Sequence, residues 1–410
     1  MSLGRSLKTI AVAALALTLV AGCKTTQRSS TASSQPTATA AQPAPSAPTT
    51  PTRALLPGQA VKVALLLPLT GRAQPAGEAL LNAAQLALFD VGDNTLELIV
   101  KDTGDTAEGA SAAMAQAVAE GAQLVLGPLF GAQIEAVTPL AQTANVNVIS
   151  FSNDETKADG NVFIMGLSPR AQAERIVGYA ARQGLTSIAV IAPNTPFGLE
   201  SLAGAQAAAS ANGASIVATS LYDTGKVDLS DEVRSLGTGF SAVLAPDAAK
   251  RMIGLGPLLA YYDIDPSKVR YLGSALWDDP VIGTEPNLLG AWFPAPSPAS
   301  WELFKQRYLQ AYGSEPLRVG GLGYDGVALA ATLVGNARQG RATEATTTPG
   351  QWIGLDRNSI TAPSGFAGVD GIFRFLPNGR VERGLAILEV QRDLFPIKEE
   401  APAAFQPLTN

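Results

Sequence analysis

The chain has 410 residues, 46% hydrophobic and only 16% charged, with 29 Lys and Arg against 35 Asp and Glu for a net charge of −6. That length suggests two domains plus extensions, and an acidic chain without a basic cluster excludes nucleic acid as the main partner. Histidine is absent and Cys23 is the single cysteine, which rules out Ser-His-Asp and Cys-His catalysis, His-based or Cys-rich metal sites, and an intramolecular disulfide.

In chain order, the first segment reads as an address. Arg5 and Lys8 precede an apolar run over 10–20, and Val20-Ala21-Gly22-Cys23 follows. This is the pattern of a secretory signal peptide over 1–22, and the run is too short for a membrane-spanning helix, which needs about 20 apolar residues. The cysteine directly after Ala-Gly is similar to the lipobox of bacterial lipoproteins. That resemblance implies lipidation of Cys23 and a periplasmic, membrane-anchored protein; Lys24 rather than Asp behind it implies sorting to the outer membrane. Residues 23–58 are nearly all Thr, Ala, Ser, Pro and Gln, with Lys24, Arg28 and Arg53 as the only charges. Such a composition offers too little apolar surface to offset the entropy of ordering, so a disordered linker is expected. At about 3.1 Å per residue it would reach on the order of 100 Å when stretched.

From residue 61 the pattern alternates. Short apolar runs over 61–67, 96–100, 124–126 and 146–151 predict strands, separated by helices over 77–89, 106–119 and 131–144. The rhythm restarts after Ser168, with helices over 172–183, 198–211, 227–236 and 248–262 and strands over 187–191, 215–222, 242–244 and 270–272. Helices over 301–312 and 327–335 follow. Finally, runs over 371–375 and 385–390 flank Leu376-Pro377-Asn378-Gly379 and predict a β-hairpin. Strands of this length alternating with helices imply parallel βαβ units. The fold class is therefore α/β: two Rossmann-like lobes with parallel sheets, a hinge and a C-terminal hairpin. The expected first lobe is 59–167 plus 292–345, the second 168–291 plus 346–395, and 396–410 a tail.

The stretch Val63-Ala64-Leu65-Leu66-Leu67-Pro68-Leu69-Thr70-Gly71 resembles the first strand and loop of type I periplasmic binding proteins. So do Asn82-Ala83-Ala84-Gln85-Leu86-Ala87, Lys101-Asp102-Thr103, Gly127-Pro128, Val148-Ile149-Ser150 and the closing 366–375. The resemblance runs in order over about 60–392. It is most similar to the leucine/isoleucine/valine-binding type and, within it, to the lipoproteins called penicillin-binding protein activators. It implies a hinged two-lobed fold and a non-enzymatic role, either as activator of a peptidoglycan synthase or as substrate-binding protein for amino-acid transport through an ABC permease.

In open α/β sheets ligands bind beyond the C-terminal strand ends. Thr70, Gly71, Leu129, Phe130, Ser150, Phe151, Ser152 and Asn153 are the cleft candidates of the first lobe. Phe197, Asp247, Trp277 and Asp278 are those of the second, with Tyr324 and Asp325 near the hinge by resemblance. The hydroxyls and Asn153 suit a ligand carboxylate, the acids an ammonium, and the rings an apolar side chain. By resemblance the Ser150 loop grips the carboxylate. Here Phe151-Ser152-Asn153-Asp154 brings a bulky ring and an acid into it, and an acid repels a carboxylate. Residues 321–326 have the Gly-x-Gly-x-x-Gly spacing of a dinucleotide loop, but no strand precedes them as that loop requires. Asp278-Asp279 and Asp263-x-Asp265 lack EF-hand spacing, so neither metal nor cofactor is expected.

Overall fold

A computed structural model describes residues 51–92 and 95–407. The expected signal peptide, Cys23 and most of the linker lie outside the described residues. The first strand, β1 (Val61–Leu67), shows why the chain builds layers. Val63, Leu65 and Leu67 point into one apolar core and Ala64 and Leu66 into another, so the strand needs helices on both faces. Helix α1 (Gln74–Val91) starts with Pro75 in its first turn and stops at Gly92 in the left-handed region. Strand β2 (Leu96–Asp102), helix α2 (Ala107–Ala119), strand β3 (Leu124–Leu126), helix α3 (Gly131–Ala144) and strands β4 (Asn147–Ser150) and β5 (Val162–Ile164) complete a parallel sheet of order β2-β1-β3-β4-β5. Strand β5 was not foreseen: it is three residues long with no pattern of its own.

The second lobe repeats the scheme with α4 (Pro169–Arg182), β6 (Ser187–Pro193), α5 (Pro196–Ala211), β7 (Ser215–Tyr222), α6 (Ser230–Leu236), β8 (Ala242–Leu244), α7 (Ala249–Tyr261) and β9 (Arg270–Leu272). Ser168 and Thr195 cap α4 and α5 through their hydroxyls. Here the expected division needs correction. Trp292–Ala295 forms β10, which pairs with β9, so residues 292–295 belong to the second sheet and not to the first lobe. The return to the first lobe is made by α8 (Pro298–Tyr312) and α9 (Gly320–Arg338), which pack on α1.

The C-terminal part is likewise redistributed. Strands β11 (Phe366–Gly368), β12 (Gly371–Phe375) and β13 (Val381–Arg383) form a separate antiparallel sheet. Phe373, Phe375 and Val381 are buried in the first lobe's core with Leu355 and Ile360. Strand β14 (Ala386–Glu389) then returns to the second sheet, against β10. The hairpin therefore joins β12 to β13 rather than to residues 385–390. Its turn carries Pro377 second and Gly379 at φ 81, a tight turn followed by a left-handed residue.

Two ends expected to be loose are docked. Arg53 exchanges main-chain hydrogen bonds with Gln351 and Ile353 at 2.9 Å and sets its guanidinium over Trp352, so the linker ends before residue 53, not at 58. In the supposed tail, β15 (Ile397–Glu399) adds to β14, and the Glu399 carboxylate accepts from Arg175 and Arg182.

The chain passes between lobes three times, after β5, after β10 and after β13. Arg383, at the last crossing, has a buried side chain and donates from Nη2 to the Met165 carbonyl oxygen at 2.8 Å in the first crossing. The crossings are thereby tied side by side.

Candidate functional site

The loops beyond the strand ends of both sheets are held by their own hydrogen bonds. After β1, the Asp102 carboxylate accepts from the Leu69 and Gly104 N–H groups at 2.8 Å and from the Thr70 hydroxyl at 2.7 Å. Burial works against its charge, yet these donors hold Asp102 below the usual carboxylate range. Asp105 accepts in turn from the Arg72 and Ala73 N–H groups. Thr70 is thus a structural donor. Gly71, at φ 85, makes room for Asp105: a Cβ there would lie 2.4 Å from its carboxylate.

The β4 loop is equally committed. The Ser150 hydroxyl donates to the Pro128 carbonyl at 2.7 Å and accepts from the Ser152 N–H. The Ser152 hydroxyl accepts from the Asp154 N–H at 3.1 Å. Phe151, a candidate lining ring, is 2% exposed and lies in the first lobe's core. Leu129 packs on the same core, while Phe130 precedes α3 and is 37% exposed. Asn153 stays exposed at the tip of the loop. The Asp154 carboxylate accepts from the Thr156 N–H and hydroxyl and lies beside Gly131, where a Cβ would come within 2.9 Å of it.

In the second lobe, Trp277 is fully buried in the core rather than lining a cleft, and its indole donates to the Asp247 carbonyl at 3.1 Å. The Asp247 carboxylate accepts from the Tyr222 hydroxyl and the Ala248 N–H. Asp279 caps the next turn through the Val281 N–H at 3.0 Å. Phe197 is half-buried in the first turn of α5. Asp278 meets Arg318, whose Nε donates to it at 3.2 Å. Burial pushes the Asp278 carboxyl up, and the guanidinium pulls it back. Tyr324 stands elsewhere: its hydroxyl donates to Asp90 at 2.8 Å and its ring packs edge-on against Phe304, among α1 and α8. The Gly-x-Gly-x-x-Gly stretch is the first two turns of α9, not a loop.

Sequence reasoning placed Asp325 near the hinge by resemblance alone and missed the buried charge group to which it belongs. Asp325 is 1% exposed, accepts from the Val369 N–H at 2.6 Å and faces Arg383 at 3.9 Å. Arg318 and Asp370 complete the group. No signal marks these residues, because their partners lie 40 or more positions away. Across the cleft, then, the hydroxyls and acids suited to an amino-acid ligand already bond within the chain. Among the described residues no group of three or more Asp, Glu or Cys is placed to hold a metal, and no helix is long and apolar enough to cross a membrane.

A family model described as periplasmic binding protein matches residues 60–394. Two relatives named penicillin-binding protein activator LpoA, from Glaesserella parasuis and Photobacterium profundum, are each 35% identical, over 140 and 142 residues. These matches take in 34% and 33% of this chain, and 23% and 22% of the relatives' own lengths. The chain thus spans about a quarter of the curated relatives it matches. Among solved structures, an ABC transporter substrate-binding protein from Sphaerobacter thermophilus aligns over 85% of this chain and 100% of its own, at TM-score 0.69 and 18% identity. The leucine binding protein LivK from Thermotoga maritima aligns over 83% and 98%, at TM-score 0.61 and 18% identity. At these identities the likeness is one of fold.

Proposed function

Because this chain belongs to the periplasmic binding protein family, we propose that it is a non-catalytic periplasmic lipoprotein that stimulates a peptidoglycan synthase by direct contact, its small-molecule cleft being given over to internal bonds. The observation that carries this reading is the committed cleft. Thr70, Ser150, Ser152, Asp247 and Asp278 each have a partner in the chain, and the Asp154 carboxylate stands beside Gly131 at the start of α3. The relatives named as penicillin-binding protein activators support it. So does the sequence of residues 20–58, with its lipobox-like cysteine and long polar stretch.

The test is reconstitution of the full chain with a bifunctional penicillin-binding protein and lipid-linked precursor. A saturable rise in glycan polymerisation or cross-linking rate is the expected result. An unchanged rate at saturating protein, with no complex in a pull-down, sinks the reading.

A second reading, a receptor for branched-chain amino acids, is favoured by the shared fold of the leucine binding protein. A true ligand at a hundredfold over its dissociation constant would add about 2.7 kcal/mol to stability. Under the leading reading, thermal-shift titrations with leucine, isoleucine and valine leave the melting temperature unmoved.

A further inference from the structure

Arg318 stands just before α9 on the first lobe, and two lobe-one groups fix its guanidinium. Its carbon lies 4.1 Å from the centre of the Trp301 ring, and Nη1 pairs with Asp370, which is 2% exposed. Trp301 itself packs with α1 and α8. From this seat Nε reaches Asp278 at 3.2 Å. Asp278 belongs to the second lobe: it follows β9 and is adjacent to Trp277, buried in that lobe's core. One side chain thus holds an acid on each lobe.

We propose that Arg318 is a built-in latch, a cation of the chain's own that occupies Asp278 and keeps the two lobes together with no ligand between them. Pre-seating on Asp370 and Trp301 removes most of the side-chain freedom that forming the cross-lobe bond would otherwise cost. Side-chain exposures of 28% for Arg318 and 26% for Asp278 place the pair between a surface bridge, which contributes little, and a buried one, whose rupture strands a charge. Opening the lobes would part Asp278 from its cation. The same contact bars a primary amine from Asp278, since the amine would have to displace a guanidinium already making charge-assisted hydrogen bonds. The inference concerns the resting conformation and stands whether the cleft serves a protein partner or a solute.

The experiment is a distance measurement between spin labels on the full chain. Cys23→Ser removes the native thiol, and Glu108→Cys and Lys250→Cys place one label on each lobe at exposed positions near the starts of α2 and α7. The otherwise unaltered chain should give a single short distance. Arg318→Met and Asp278→Asn should each shift it to longer, broader values, and the double variant should go no further than either single change. Should Arg318→Met fail to fold, Asp278→Asn decides alone, because Asp278 sits on a partly exposed loop. A distribution for Asp278→Asn that superposes on the parent overturns the latch, as does a parent that is already broad and long.

Discussion

Asp325 is the residue whose chemistry the fold changes most. Burial, with the Asp370 carboxylate nearby, pushes its carboxyl up to about 7, against the pull of Arg383 and of the Val369 and Asp370 N–H groups. In the unfolded chain the same group titrates at the ordinary value of about 3.9. Below both values it is protonated in both states, and its contribution is fully present. As pH rises from about 4 to about 7 the unfolded state gives up the proton first, so this contribution is progressively lost. Asp325→Asn removes the titration while keeping the shape. Urea-denaturation stability of the parent should therefore fall across that interval relative to the variant, and parallel profiles would refute the assignment. None of this was legible in the sequence, where Asp325 is one acid in a glycine-rich stretch.

At the scale of elements, α9 shows tertiary contact overriding local preference. Its first residues, Gly320-Gly321-Leu322-Gly323, are poor helix formers, and a helix start at 327 follows from that composition. In the fold these glycines let α9 lie directly on α1: a Cβ on Gly323 would sit 2.3 Å from the Leu80 carbonyl oxygen. Gly323→Ala should raise intrinsic helix propensity yet destabilise the protein by about 1–3 kcal/mol through overpacking, read as a lowered urea midpoint. The β12–β13 turn is the opposite case, legible in its residue types but not in its partner strand. Gly379 needs its positive φ, and its carbonyl accepts from the Ile164 N–H at 2.9 Å, fastening the hairpin to the first sheet. Gly379→Ala should cost at least the roughly 1 kcal/mol of a left-handed non-glycine residue, visible as a lower melting temperature.

For the whole molecule, the proposed activity requires reach as well as contact. Residues 24–50 are polar and proline-rich in composition, whereas residue 53 belongs to the folded part. Deleting 26–50 while keeping Cys23 should abolish stimulation in cells but leave it intact with purified components, where no gap must be bridged. Full activity of the shortened protein in cells would count against action at a distance from the membrane.

What the sequence by itself determined was the alternation. Short apolar runs between longer amphipathic stretches admit only layered parallel sheets, and the restart after Ser168 stands where α4 starts. Lobe membership after residue 291 was decided only in three dimensions. Trp292–Ala295, Gly371–Phe375 and Ala386–Glu389 are all short apolar strands, and nothing local says which sheet edge each completes. The cleft was settled there too. Residue types at strand ends announce hydrogen-bonding capacity, but whether a Ser or Asp spends it on a ligand or on Pro128, Asp154 and Arg318 depends on groups brought near by the fold. A buried polar group must find some partner, and in this chain the nearest partners are its own.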